Sequence, residues 1–294
     1  MARLSHKWHE MISQSRNGAS GKSVLDSSFP VMPWITHALD PKLEALFLRV
    51  GTRRVLPTDA LLFEVGEPID QLVFVCQGVT ARSMGNVDER AIGLATPGRI
   101  AAGNLNFFSQ RHAIGRYFCL TESELCYCPR KLLLDVLKTD VELFSSYVAQ
   151  LECAALSDRM SFACLALCDS VLRLKAFFAS WAANYGTPVS RGGRACIEMP
   201  VPMTLAVQSK IVNSSLNWVD RIIHSWRDEG LWIRKGERVA VDVALLDEAW
   251  IWMRSLEEAN ERYQYPGHLH ELFKRRSSTK KSVSQSCAAD QNPQ

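Results

Sequence analysis

Between Val50 and Pro129 the apolar residues fall in short runs: "LLFEV" (61–65), "LVFVCQ" (72–77), "AIGLA" (91–95), "RYFCL" (116–120) and "ELCYC" (124–128). Turn-forming "GEP" at Gly66, "GNVDE" at Gly85 and "TPG" at Gly98 separate them. Short strands at this spacing predict a β-sandwich or barrel. Gly66, Gly78, Gly98 and Gly103 are expected where strands bend or backbones approach closely.

At Thr139 the pattern changes, and no Gly or Pro follows until after Leu167. Phe144, Val148, Leu151, Ala155, Phe162 and Leu165 advance by alternating steps of four and three, with Asp158 at the skipped position. Such a heptad seam on a long helix asks for a partner helix. The adjoining β-domain covers only one side of so long a helix, so Phe144, Val148, Leu151 and Ala155 are expected in a dimer seam. The other reading is a helix buried in its own domain. Thr139-Asp140 offers an N-cap, with Glu142 completing a capping box. A second helix is expected over Ser170 to Asn184. "YGTPVSRGGRACIEMPVP" then reads as a loop with one short strand.

The stretch "MTLAVQSKIVNSSLNWVDRIIHSWRDEGLWI" (Met203 to Ile233) carries the strongest local pattern. Thr204 caps a short helix, Leu205 to Val212. Asn213 tolerates the left-handed backbone that a tight turn needs. Ser214 or Ser215 caps a second helix reaching about Glu229. Val219, Ile222, Ile223 and Trp226 form its inner stripe, and Gly230 ends it. "LWIRKGERVAV" alternates around Lys235-Gly236 as a hairpin. Helix, tight turn, helix and hairpin make a winged helix-turn-helix; an ordinary helical pair is the alternative. Leu216, Asn217, Trp218, Asp220, Arg221 and His224 would face outward. Arg221 and Asn217 suit base edges, and Leu216 and Trp218 suit thymine methyl groups, although Trp218 equally suits packing on the hairpin. Lys210, Lys235 and Arg238 are expected on phosphates, with the cap residues Thr204 and Ser215 on the same DNA-facing surface.

The chain of 294 residues suits two domains with tails. The expected division is a mobile arm (1–30), a β-domain (31–138), the long helix (139–168), the helix-turn-helix domain (169–256) and a polar, basic tail (257–294). The overall class is α+β. A net charge of +3 does not by itself argue for nucleic acid. Lys274, Arg275, Arg276, Lys280 and Lys281 read as a solvated tail that can hold phosphates nonspecifically. No apolar run is long enough to span a membrane. The polar N-terminus lacks the apolar core of a signal peptide, so a cytoplasmic protein is expected. Nine cysteines include no CxxC pair; they read as reduced apolar fillers, with redox sensing as the alternative. No metal site is expected. Paired catalytic carboxylates, Ser-His-Asp logic, HExxH and a Gly-rich phosphate loop are all missing from the sequence, which argues against an enzyme.

The order β-domain, long heptad helix, helix-turn-helix resembles the Crp/Fnr superfamily of bacterial transcription regulators, over about Leu46 to Trp250. "SLNWVDRIIHSWRDEGLW" looks like the family's recognition helix, with Arg221 on its guanine-reading arginine. "GEPIDQLVFVCQGVTAR" looks like a segment of the β-roll, the jelly-roll-like cyclic-nucleotide-binding-domain fold, and "PGRIAAGNLNFF" like its ligand-binding turn. The resemblance implies a homodimer joined by the long helix, a palindromic promoter site on double-stranded DNA, contact with RNA polymerase, and control by a small effector. Nucleotide-binding members carry Gly-Glu in that turn and Arg-Ser or Arg-Thr after it; here stand Gly103-Asn104 and Ala113-Ile114, which argues against cAMP. Asp158 and Arg159 replace the helix residues that meet the purine. The iron–sulfur branch needs N-terminal cysteines, and the first cysteine here is Cys76. The halorespiration regulators of the CprK type are closer in texture: Thr139-Asp140 and Met199-Pro200 match their "TD" and "MP". They imply a small organic or aromatic acid held by Gly103, Asn104, Leu105, Phe107, Phe108, Arg111, Arg116, Tyr117, Cys119, Asp158, Arg159 and Phe162. The alternatives are a haem sensor, with Cys76, His112 or Met84 as ligand, and an effector-independent DNA-binding protein.

Overall fold

The computed structural model describes residues 31–36, 38–83 and 93–256. The expected arm, the basic tail, the turn at Gly85 and Met84 lie outside them.

The N-terminal unit contains α1 (Pro41–Val50), β1 (Thr52–Leu56), β2 (Leu61–Phe63), β3 (Gln71–Gln77), β4 (Thr80–Arg82), β5 (Gly93–Ala95), β6 (Ile100–Ala102), β7 (Tyr117–Cys119), β8 (Ser123–Pro129) and α2 (Arg130–Thr139). The strands form two four-stranded antiparallel sheets, ordered β1-β8-β3-β6 and β2-β7-β4-β5. Strands β3 and β8 are buried on both faces, so alternate residues feed two cores. Leu72, Phe74, Cys126 and Cys128 join Phe47 of α1 and Leu133 of α2. Val73, Val75, Leu125 and Tyr127 join Tyr117 and Cys119 of the second sheet. Gly66, Gly78, Gly98 and Gly103 all adopt positive φ, as their turn positions require. At Gly78 a Cβ would also strike Ser123 and the Glu122 carbonyl.

The long helix α3 spans Val141–Leu167. Its cap is Asp140, whose carboxylate accepts from the Leu143 amide at 3.0 Å. The expected capping box does not form. Thr139 is the last residue of α2 and its hydroxyl donates to the Val136 carbonyl, while Glu142 takes the Lys42 ammonium at 3.0 Å. The expected seam residues Phe144, Val148 and Ala155 are exposed and Leu151 is half-buried. The inner face instead carries Ser146, Tyr147, Gln150, Ala154, Ser157 and Ser161.

Two serines of that face, Ser157 and Ser161, bond to a strap, residues 31–36. The Ser157 hydroxyl donates to the Met32 carbonyl at 2.6 Å, and the Trp34 amide donates to Ser161 Oγ at 2.7 Å. On its other side the strap joins β5: the Leu94 amide donates to the Trp34 carbonyl at 2.9 Å. Trp34 adopts φ +63, a costly conformation for a bulky residue, and its ring meets Phe177 edge-on at 6.3 Å.

The C-terminal unit contains α4 (Ser170–Tyr185), β9 (Thr187–Arg191), β10 (Arg194–Pro200), α5 (Leu205–Ile211), α6 (Leu216–Asp228), β11 (Trp232–Lys235), β12 (Arg238–Asp242) and α7 (Val243–Leu256). The expected loop after α4 is in fact a hairpin, turned by Gly192 and Gly193 at positive φ. Its second strand pairs with β12, giving a sheet ordered β11-β12-β10-β9. Partnering by β12, which sets Arg238 opposite Pro200, is a tertiary fact that the local pattern does not carry. Phe178 packs against Trp232 at 4.6 Å and Trp226 at 5.9 Å, so α4 seats both α6 and its hairpin. Arg99, 5% exposed, joins the two units: it donates to the Thr36 carbonyl at 2.6 Å and to Asn184 Oδ1 at 2.5 Å. Among the described residues no helix is long and apolar enough to cross a membrane.

Candidate nucleic-acid interface and effector cleft

Thr204 caps α5 by accepting from the Val207 amide at 3.3 Å. Asn213 turns the chain at φ +48. Ser215, rather than Ser214, caps α6 by accepting from the Trp218 amide at 3.3 Å. Two further residues hold this corner. Buried Gln208 donates to the Pro202 and Met203 carbonyls at 2.5 and 3.1 Å. Arg173 of α4 donates to the Asn213 carbonyl at 3.4 Å. Neither has a local sequence signature, because both act across the fold.

Helix α6 buries Val219, Ile222, Ile223 and Trp226 and exposes Leu216, Asn217, Trp218, Arg221 and His224. Trp218 is 38% exposed, and Arg221 lies over its ring. In front of the first turn of α6 lies a concave surface of about 340 Å³, lined by Ser209, Lys210, Asn213, Ser214, Ser215 and Leu216. Hydroxyls, a lysine and the unpaired amides of a helix start suit a phosphate. Lys235 is exposed on the hairpin. Arg238 is committed elsewhere: Glu198 accepts from it at 2.7 Å and from Arg191 at 2.6 Å. Burial works to raise the Glu198 carboxyl, but the two arginines outweigh it and hold it below its ordinary value.

The second candidate site lies between the N-terminal sheets, the strap and α3. It is a cleft of about 40 Å³ lined by Trp34, Thr80, Arg82, Leu94, Asn104 and Asp158, among others. Arg82 Nη2 donates to Asp158 Oδ1 at 2.5 Å. Burial disfavours the charged guanidinium, yet Asp158 and then Tyr117 more than offset it and raise its pKa. Burial likewise raises the Tyr117 hydroxyl, against the pull of Arg82. Asp158 and Tyr117 thus meet on an arginine that the sequence pattern did not single out.

Of the other expected effector residues, Asn104 also lines this cleft. Phe107 is core, with its ring 4.7 Å from that of Tyr147. Gly103 packs against Leu72 and the Gln71 carbonyl, which fixes the turn and leaves no ligand surface there. Arg116 pairs with Glu64 at 3.2 Å. Leu105, Phe108, Arg111, Arg159 and Phe162 are exposed and are not part of the cleft wall. The aromatic residues went to core and surface because the turn presents Phe107 to α1 and α3 rather than to the cleft. Of the alternative haem ligands, Cys76 is half-buried and His112 exposed. Among the described residues no group of three or more His, Cys, Asp or Glu side chains is placed to hold a metal ion.

No protein-family model matches the chain, and no curated protein sequence matches it. Solved structures do. The c-di-GMP-responsive global regulator CLP of Xanthomonas campestris is 18% identical, with a TM-score of 0.53 over 69% of this chain and 99% of its own. CprK complexed with OCPA is 16% identical, with a TM-score of 0.54 over 74% and 97%. A CooA variant from Carboxydothermus hydrogenoformans is 13% identical, with a TM-score of 0.56 over 71% and 90%. At these identities the likeness is one of fold, and the fold of this chain is that of the Crp/Fnr-type transcription regulators.

Proposed function

We infer that this protein is a homodimeric, sequence-specific DNA-binding transcription regulator and not an enzyme. The observation that carries the reading is α6. Its apolar stripe is fully used in anchoring the helix, and its opposite face offers Leu216, Asn217, Trp218 and Arg221 at the N-terminal turns. That is the end a recognition helix places in the major groove. Arg221 pairs with guanine and Asn217 with adenine, while Leu216 and Trp218 meet thymine methyls. Thr204, Lys210 and Ser215, with Lys235 of the hairpin as wing, hold the backbone. Arg238 serves there only after exchanging Glu198 for phosphate.

The dimer forms through the outer face of α3, where Phe144, Val148, Leu151 and Ala155 find their partner helix. Two α6 helices then read a palindromic promoter site in the cytoplasm, where RNA polymerase is the further partner. A small organic effector enters the cleft between the sheets and α3 and shifts the population of dimer arrangements. The small cleft volume and the absence of the nucleotide-reading residues both speak against cAMP. An organic acid has to displace Asp158 from Arg82. A dimer that needs no effector is the second reading, favoured by that same internal ion pair.

Footprinting the pure protein on DNA flanking its own gene, at fixed salt, tests the reading. The expected result is a protected palindrome with the wild type and none with Arg221→Ala. Wild-type and variant proteins that protect every DNA equally would remove the sequence-specific role.

A further inference from the structure

The cleft holds a balanced pair of charges and an unbalanced set of hydrogen-bond donors. Arg82 and Asp158 neutralise each other across the seam between β4 and α3. Two buried N–H groups of the lining have no partner among the described residues: Nε of Arg82 and Nε1 of the Trp34 indole. Trp34 is 3% exposed. No side chain of the cleft wall leaves a buried acceptor unmet. The rest of the wall is largely apolar, with Leu94, Ile100 and Ala154.

These groups select among ligands by charge. An anion entering here would put two carboxylates on one guanidinium, leaving a buried negative charge without a counter-ion, which is strongly disfavoured. A neutral molecule with an acceptor oxygen adds no charge and offers a partner to donors that have none among the described residues. Satisfying a buried orphan donor is favourable because its desolvation has already been incurred. A volume of about 40 Å³ admits only a few heavy atoms, or one acceptor group reaching in from the open side.

The geometry points to a neutral hydrogen-bond acceptor, a carbonyl or amide oxygen, as the group this cleft takes between Arg82 and Trp34, with Asp158 as the internal anion that excludes carboxylates and phosphates. The inference rests on reading the cleft as the effector site, and it moves the effector class from an organic acid to a neutral acceptor. It also gives occupancy a route outward. Trp34 sits on the strap, and the strap touches both Ser161 of α3 and Phe177 of α4.

The test uses full-length protein with 15N-labelled tryptophan and a matched pair of probes, acetamide and acetate, at equal ionic strength. The Trp34 indole resonance is assigned by its loss in Trp34→Phe. Acetamide is expected to shift it saturably, and acetate to leave it unmoved. In Asp158→Asn the order reverses: acetate shifts the resonance at a concentration at least about tenfold lower than any that acts on the wild type. Acetate acting on the wild type as readily as acetamide would overturn the inference. So would a resonance that neither probe moves in either protein. Should Asp158→Asn not fold, Arg82→Gln decides: acetamide binding weakens about tenfold, and unchanged binding overturns the claim. DNA protection by the same preparation is read separately, so its failure strikes the regulator reading and leaves the cleft result standing.

Discussion

Arg221 lies over the indole of Trp218, its guanidinium carbon 5.4 Å from the ring centre, one turn further along the exposed face of α6. Residues three apart share a helix face, and a guanidinium over an indole is attracted by the ring's electron density. The side chain best suited to a guanine edge is therefore held by its neighbour before DNA arrives. Arg221→Ala is expected to reduce discrimination between the specific site and random DNA by about 1–3 kcal/mol. Quantitative footprinting at fixed salt measures it, and undiminished discrimination would take Arg221 out of base reading.

The stacking itself has a separate consequence. Trp218→Ala frees Arg221 and removes an interaction worth about 0.5–1 kcal/mol at an exposed site. Site affinity should fall about two- to fivefold, while Trp218→Phe keeps most of it. Equal losses in the two variants would mean that Trp218 contacts DNA through its indole and does not merely hold the arginine.

Helix α3 is amphipathic the wrong way round for a lone chain. Ser146, Gln150, Ser157 and Ser161 are buried, while Phe144, Val148 and Phe162 are 38–44% exposed. Contiguous exposed apolar surface of this kind marks an interaction face. Val148→Glu is expected to give a monomer in sedimentation equilibrium and to abolish site protection. Its effect on the unfolding free energy of the monomer should stay within about 0.5 kcal/mol, because the position touches solvent. A dimer that survives the charge would move the contact to another surface.

The strap is held by groups that cannot be removed cheaply. Ser161→Ala leaves the buried Trp34 amide without its acceptor, and Ser157→Ala leaves the Met32 carbonyl without its donor. Each should lower stability by about 1–3 kcal/mol in urea unfolding. The Ser161 hydroxyl also donates to the Ser157 backbone carbonyl at 2.7 Å, a bond that Ser157→Ala leaves in place. Trp34→Ala, which empties a site packed on Phe177, should cost about 3–5 kcal/mol. Small losses in all three would mean the strap is bound loosely.

Local chemistry made part of this fold legible. Glycines at strand ends marked the bends, Thr204 and Ser215 marked both helix starts by the side-chain oxygen each offers an amide, and Asn213 and Gly230 marked the turns by the backbone they tolerate. What stayed hidden depends on distant partners. The strand Arg194–Pro200 needs β12 beside it, Ser157 and Ser161 of α3 need the strap, and Arg82 acquires meaning only when Asp158, 76 residues on, arrives across the seam. Phe107 looked like a pocket wall because an aromatic in a binding turn has two fates, and only the position of Tyr147 decides between them. At the expected Thr139-Asp140 cap, Asp140 caps the helix, while the box with Glu142 fails because two helices abut there and Thr139 ends the first.

The cysteines give the last prediction, and they bear on the redox alternative. Burial raises the thiols of Cys119, Cys126, Cys164, Cys168 and Cys196. It pushes Cys76 up to about 11 and Cys128 up to about 12. Only the thiolate attacks an alkylating agent or a disulfide. At pH 7.5 the Cys76 thiolate is on the order of one molecule in several thousand, so its labelling by iodoacetamide, read peptide by peptide, should be about a hundredfold or more slower than that of an exposed cysteine. The same shifts fix a pH dependence. An unfolded thiol titrates near the ordinary value of 9.0, so above pH 9 the unfolded chain binds fewer protons than the native one, and stability falls as pH rises. The stabilisation is complete below pH 9 and is lost progressively up to pH 11–12. Urea midpoints at pH 8 and pH 10.5 should therefore differ, with the lower value at pH 10.5, and Cys76→Ser should narrow the gap. Rapid labelling of Cys76 at pH 7.5 would reverse this account and make Cys76 a reactive thiol suited to redox sensing.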